Sequence, residues 1–264
     1  MNYPLRPPKP VQAILNAIHR ETNMNAFQAK QDILEAGRRI WIRGFVASND
    51  GNISARISDD EILCTPTGVS KGFMDPAMIA TIDSQGRQIR GEWKVSSEAK
   101  MHLAVYRKRP DVHAVVHAHP PTATGFAVAG LSLDQCVLPE VLLALGGVPL
   151  APYGRPGSEE LPTAMETYIE KANVILMANH GILSLGKNVM EAYYRLETVE
   201  HFAKILLTAV LLGNVNILSP ERVNELKDLR ERFNLTGVLY ACNPQANVGP
   251  AGTGPAPEFG KEPR

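Results

Sequence analysis

The apolar positions of this chain change their period several times, and each change predicts an element. Val11, Ile14, Leu15 and Ile18 recur at helical spacing, which predicts an amphipathic helix over 11–22. A second helix is expected over 26–43, carrying Ile33, Leu34, Ile40 and Trp41 and stopped at Gly44. From Ser48 the pattern turns to strands: a turn through Asn49-Asp50-Gly51 feeds a strand to Arg56, and Glu61–Thr65 pairs back on it across Asp59-Asp60. Residues 78–83 form another short strand. Ser96 or Ser97 then caps a helix to about residue 107, with Glu98 in its first turn.

Val112, Val115 and Val116 make the stretch 111–119 a β-branched run and a strand. Side chains on a strand have a period of two, so His117 and His119 share one face, about 7 Å apart along it. That is the spacing at which two imidazoles reach one metal ion. The alternative is a pair of unrelated histidines ending a buried strand. Helices follow over about 120–129 and 138–147, then an extended segment at 148–151 and a helix over 158–172. Val174–Ala178 reads as a buried strand that ends in the tight turn Asn179-His180-Gly181, and Ile182–Leu185 continues the sheet. The longest helix is expected over 188–212 and a shorter one over 220–232. Early hairpin strands followed by strands alternating with helices argue an α/β or α+β sandwich about a central sheet.

The proline-rich first ten residues read as an extended arm, 11–242 as one domain, and 243–264, rich in Pro and Gly, as a disordered tail. Lys+Arg and Asp+Glu are both 27, so net charge argues for neither nucleic acid nor a membrane surface. The start lacks the apolar stretch of a signal peptide and no apolar run is long enough to span a bilayer, so a cytoplasmic protein is expected. Cys64, Cys136 and Cys242, odd in number and widely spaced, read as reduced thiols.

Three features carry chemistry together. His117 and His119 lie on one strand face, His180 ends another strand, and Glu98 begins a helix. Three imidazoles leave a metal position open, as catalytic sites do. Locally Glu98 also reads as an ordinary helix-start residue. Thr65-Pro-Thr-Gly-Val-Ser-Lys71 is a small-residue loop that either connects elements or forms an anion nest.

Gly51-Asn-Ile-Ser-Ala-Arg56, Thr65-Pro-Thr-Gly68, Ser96-Ser-Glu98, His117-Ala-His-Pro-Pro-Thr122 and Asn179-His-Gly181 stand in the order seen in the class II aldolase/adducin family, whose fuculose-phosphate aldolase branch the chain resembles. The resemblance covers about residues 26–213. It implies a three-layer α-β-α sandwich with a mostly antiparallel sheet, assembled as a homotetramer with active sites at subunit boundaries. It implies His117, His119 and His180 as ligands of zinc or another divalent transition metal, and Glu98 as acid/base and resting ligand. It implies Asn52, Thr67, Gly68, Ser96 and Ser97 as holders of a substrate phosphate; Lys71 is added as a nearby cation. The activity implied is cleavage of a ketose 1-phosphate to dihydroxyacetone phosphate and an aldehyde. Other expectations compatible with the family are epimerisation, decarboxylation or dehydration, and a non-catalytic binding domain. Where the aldolases carry a tyrosine on the aldehyde side, this chain offers Glu140, either a proton donor or a helix residue paired with an arginine. Tyr240 is a further candidate from the C-terminal region.

Overall fold

The structure, a computed structural model, describes residues 25–232 and 238–243. The arm expected over 1–10, the helix over 11–22 and the tail beyond Asn243 lie outside the described residues.

The described chain forms α1 (Ala26–Ile42), β1 (Asn52–Ser58), β2 (Glu61–Cys64), β3 (Ala80–Ile82), β4 (Gln88–Arg90), α2 (Ala99–Lys108), β5 (Ala114–Ala118), α3 (Pro121–Val128), α4 (Pro139–Ala144), β6 (Leu150–Ala151), α5 (Glu160–Ile169), β7 (Val174–Met177), β8 (Gly181–Gly186), α6 (Val189–Leu211) and α7 (Pro220–Arg232). The strands make one sheet in the order β4-β3-β2-β1-β5-β8-β7-β6. Every pairing is antiparallel except β6 with β7.

Strand alternation divides the core into two layers. Ile53 and Ala55 of β1, Val116 and Ala118 of β5 and Ile182 of β8 pack with α1, α3 and α6 on one face. Val115, Leu183 and Leu185 pack with Met101 and Val105 of α2 and Met165 of α5 on the other. His117 is two residues on from Val115, so its side chain leaves the sheet on the α2 side. Asn52 lies opposite it in the β1–β5 register. This is the sandwich the sequence implied, and the strand period aims the first histidine at the helix that begins after Glu98.

Two expectations change and one strand is added. A 3₁₀ turn over Pro76–Met78 takes the start of the strand expected at 78–83. The edge strand β4 was not expected: it is only three residues long, Gln88-Ile-Arg90, and exposed throughout, so no buried apolar face marks it. Cys136 and Cys242 are not reduced thiols: they form a disulfide, and only Cys64 is free. The backbone explains the pairing. Gly147 N donates to Tyr240 O at 2.8 Å and Asn243 N to Asp134 O at 2.6 Å, which lays the C-terminal segment beside residues 134–147. A separation of 106 residues hid that neighbourhood from the sequence.

Candidate metal centre

The three histidines come together. His119 Nε2 lies 3.0 Å from His117 Nε2, and one ligand atom from each of His117, His119 and His180 fits within 4.8 Å of the others. Glu98 closes the set, with Oε1 3.1 Å from His180 Nε2 and Oε2 3.4 Å from His117 Nε2. Ligand atoms around a tetrahedral zinc, each about 2.0–2.1 Å from the metal, stand roughly 3.3 Å apart. The spacing here has that scale, and imidazole with carboxylate is a borderline donor set suited to zinc and its neighbours. The residues present therefore fit a divalent metal.

Tautomers agree with the fit. His117 Nδ1 is 2.8 Å from Ile182 O; a carbonyl only accepts, so the proton is on Nδ1 and the Nε2 lone pair is free. Asp50 Oδ2 stands 3.6 Å from His119 Nδ1, the carboxylate behind an imidazole that orients many metal ligands. Burial pushes His117 down to about 3, and its neighbours His180 and His119 add to the shift against the opposing pull of Glu98. His119 is lowered by burial and then by His180. Both rings are therefore neutral, the form that binds metal. Burial alone would raise the Glu98 carboxyl, but His180, His117 and Asn52 together hold it well below the usual carboxylate range.

Local geometry fixes each ligand. His119 follows β5, and its backbone N–H donates to Phe45 O at 2.9 Å. His180 sits in the β7–β8 turn after Asn179, which adopts φ 55°. Gly51, at φ 73°, lies under His117: a Cβ there would meet His117 O at 2.8 Å. Glu98 occupies the N-cap position of α2, yet its side chain makes no cap bond. The carboxylate goes instead to the histidines and to Asn52, whose Nδ2 donates to Oε2 at 2.7 Å. Asn52, expected on the phosphate, here holds the acid.

The expected phosphate loops lie side by side. Thr67 N donates to Lys94 O at 2.9 Å and Ser96 N to Thr65 O at 3.3 Å, which sets Thr67 and Gly68 beside Ser96 and Ser97. Lys71 is not an open cation at their mouth. It is 1% exposed, and its Nζ donates to Asn49 O at 2.9 Å and Val69 O at 2.6 Å. Burial lowers it to about 8, against the pull of Asp50 and Glu98. Its ammonium ties two loops together and adds positive charge near those carboxylates.

Two expected residues are not in the cluster. Glu140, in the first turn of α4, lines a cavity of about 740 Å³ with Lys187, Arg195 and Arg230. Tyr240 stands by Gly146, packed against the α2–α5 layer. Asp50 was missed, and its only signal was its place two residues before Asn52; the pairing of β1 with β5 brings both to the site.

Comparisons agree with the geometry. Residues 31–207 match the family model described as the Class II Aldolase and Adducin N-terminal domain. The chain is 30% identical over 214 residues to a 3-oxo-tetronate 4-phosphate decarboxylase of Haemophilus influenzae, covering 79% of this chain and 99% of that one. It is 33% identical over 183 residues to an L-fuculose phosphate aldolase of Methanocaldococcus jannaschii, covering 69% and 98%. Among solved structures, a putative aldolase/epimerase/decarboxylase from Klebsiella pneumoniae superposes with TM-score 0.71 at 30% identity, covering 77% and 99%.

Proposed function

This chain belongs to the class II aldolase and adducin family, and on that premise we propose that it is a zinc-dependent carbon–carbon lyase that releases dihydroxyacetone phosphate from a small phosphorylated sugar or sugar acid. The observation that carries the reading is the closed set of His117, His119, His180 and Glu98, with Glu98 3.1 Å from His180 Nε2. A non-catalytic binding domain would not need an acid held against three imidazoles.

Two bond cleavages lead to the same product. Aldol cleavage of a ketose 1-phosphate and loss of carbon dioxide from a 3-oxo-tetronate 4-phosphate both leave the enediolate of dihydroxyacetone phosphate. A metal on the three histidines supplies a Lewis acid for the substrate carbonyl, worth several kcal/mol in the charge that develops there. Glu98 delivers a proton to the carbon from which the leaving group departs, a step worth roughly 10²–10⁴-fold. Asn52 keeps that carboxyl in place. Thr67, Gly68, Ser96 and Ser97 hold the phosphate next to the N-terminal end of α2, where the positive end of the helix dipole favours an anion.

Decarboxylation is the first reading. Its support is the long match to the decarboxylase. Loss of carbon dioxide needs no base on the departing fragment, whereas a departing aldehyde must give up a hydroxyl proton. Aldol cleavage is the second, supported by the 33% identity to the fuculose phosphate aldolase.

We further propose a homotetramer, for which Val128, Leu131, Leu207, Leu211 and Leu212 offer exposed apolar surface. No helix among the described residues is long and apolar enough to cross a membrane. A doubly charged sugar phosphate does not cross a bilayer either, so we place the enzyme in the cytoplasm where such substrates are made. The test is to load the protein with zinc, supply 3-oxo-tetronate 4-phosphates and ketose 1-phosphates, and follow dihydroxyacetone phosphate with a coupled dehydrogenase. Product with carbon dioxide supports the first reading and product with an aldehyde the second. Release of neither product by metal-loaded, folded protein contradicts both.

A further inference from the structure

One buried polar network lies directly behind the site. Ser54 Oγ is 2.7 Å from His102 Nδ1 and 2.7 Å from Tyr106 OH. Ser54, His102 and Tyr106 are all at most 5% exposed. His102 Nε2 is buried and has no partner among the described residues. Whichever tautomer the ring adopts, one nitrogen is unsatisfied, which costs stability. A core shaped for stability alone would be better served by an apolar side chain there.

The network has a register. Asn52 and Ser54 are two apart on β1 and so share a face, about 6.8 Å apart. Glu98 and His102 are four apart at the start of α2, about 6 Å along its axis, with Tyr106 one turn further. The two spacings nearly match, so β1 and α2 meet as rungs: Asn52 to Glu98, then Ser54 to His102 and Tyr106. The Glu98 side chain makes no cap bond of its own, and besides the Asn52 rung the end of α2 on which it stands is held by one longer side-chain contact, Ser96 Oγ accepting from the Glu98 backbone N–H at 3.3 Å.

We propose that His102, through Ser54 and Tyr106, is a positioning residue that sets the height and rotation of the first turn of α2 and thereby aims the Glu98 carboxyl at the reacting carbon. His102 touches neither substrate nor metal in this account. The second rung fixes the helix along β1, and the first rung then has one geometry in which Asn52 reaches Oε2. Burial lowers His102 to about 4, so the ring is neutral in use and its part is geometric. The proposal rests on the reading of Glu98 as the proton carrier.

The test isolates that proton step. Zinc-loaded protein is given dihydroxyacetone phosphate alone in deuterium oxide, and exchange at the hydroxymethyl carbon is followed by NMR. His102→Leu and Ser54→Ala should lower the exchange rate at saturating ligand about 10- to 100-fold, the scale of a catalytic group displaced by about 1 Å. Zinc stoichiometry and half-saturation should stay within about twofold of the native protein, and the melting temperature of His102→Leu should hold or rise, since it removes an unpaired nitrogen. His102→Asn keeps a hydrogen-bonding atom near the place of Nδ1 and should recover most of the rate. Tyr106→Phe, which keeps the ring, carries the same test should the other variants not fold, with a smaller loss expected. Native-like exchange in folded variants overturns the positioning role and leaves the reading of Glu98 standing. Absence of exchange in the zinc-loaded native protein defeats that reading and the positioning role with it.

Discussion

A Cβ on Gly181 would stand 2.5 Å from Cδ2 of His119 and 2.6 Å from Ala118 O. The glycine that begins β8 is therefore what lets the imidazole of His119 lie over the β7–β8 turn, next to His180. A methyl group there must move either the ring or the strand. Gly181→Ala should lose zinc affinity by about 10-fold or more, the scale seen when the support of a metal ligand is removed. Equilibrium dialysis against zinc reads it. Native affinity in this variant would mean that the ring has room the geometry denies.

Removing the acid should separate binding from chemistry. Glu98→Gln keeps the three imidazoles and can still accept from Asn52, so zinc stoichiometry should be unchanged while turnover falls roughly 10²–10⁴-fold. Metal analysis beside the coupled assay checks both halves. His119→Ala should lose the metal and the activity together.

Asp50 was not legible as a site residue, and it offers a test of the support shell. Its carboxylate is 3.6 Å from His119 Nδ1. Asp50→Asn should cost about 10–100-fold in zinc affinity with an unchanged melting temperature of the metal-free protein. A competition titration with a chromophoric chelator measures the first, and calorimetry the second.

The buried His102 ring gives a pH signature of the metal-free fold. Its folded-state value, lowered to about 4 by burial, lies below an unfolded value near 6.5. Between those values the unfolded chain binds more protons, so stability is full above about 6.5, falls as the pH drops, and levels off below about 4. The loss from this one group is on the order of 3 kcal/mol at most. His102→Asn removes the titration, so the difference between its urea midpoints and those of the native protein should change across that window and be flat above it. A difference that does not vary with pH would contradict a buried neutral ring.

What was legible in the sequence is what local periodicity encodes. The two-residue period of 111–119 placed His117 and His119 on one face, and α7 runs over Pro220–Arg232 as expected. The place of His180 at a strand end and of Glu98 at a helix start set them beside the pair, the match of five motifs to a family implied their roles, and the structure brings all four together. What was not legible depends on which segments meet. The Asn52–His117 register turned Asn52 toward Glu98 and carried Asp50 to His119. The packing of the 71–73 turn buried Lys71 instead of leaving it open to a phosphate. The return of the C-terminal segment paired Cys136 with Cys242. Glu140 read as an isolated charge because the basic residues around its cavity come from α6, α7 and the turn before α6, far along the chain.

In the proposed reaction His117, His119, His180 and Glu98 together form and protonate the enediolate of dihydroxyacetone phosphate. The most direct measurement is deuterium uptake by dihydroxyacetone phosphate in deuterium oxide with zinc-loaded native protein, before and after chelation. Uptake is expected at one of the two hydroxymethyl hydrogens only, because Glu98 stands on one side of the site. That uptake should be lost with a chelator, restored by zinc, and lost in Glu98→Gln that still holds zinc. Zinc-loaded, folded native protein that leaves both hydrogens in place would contradict it.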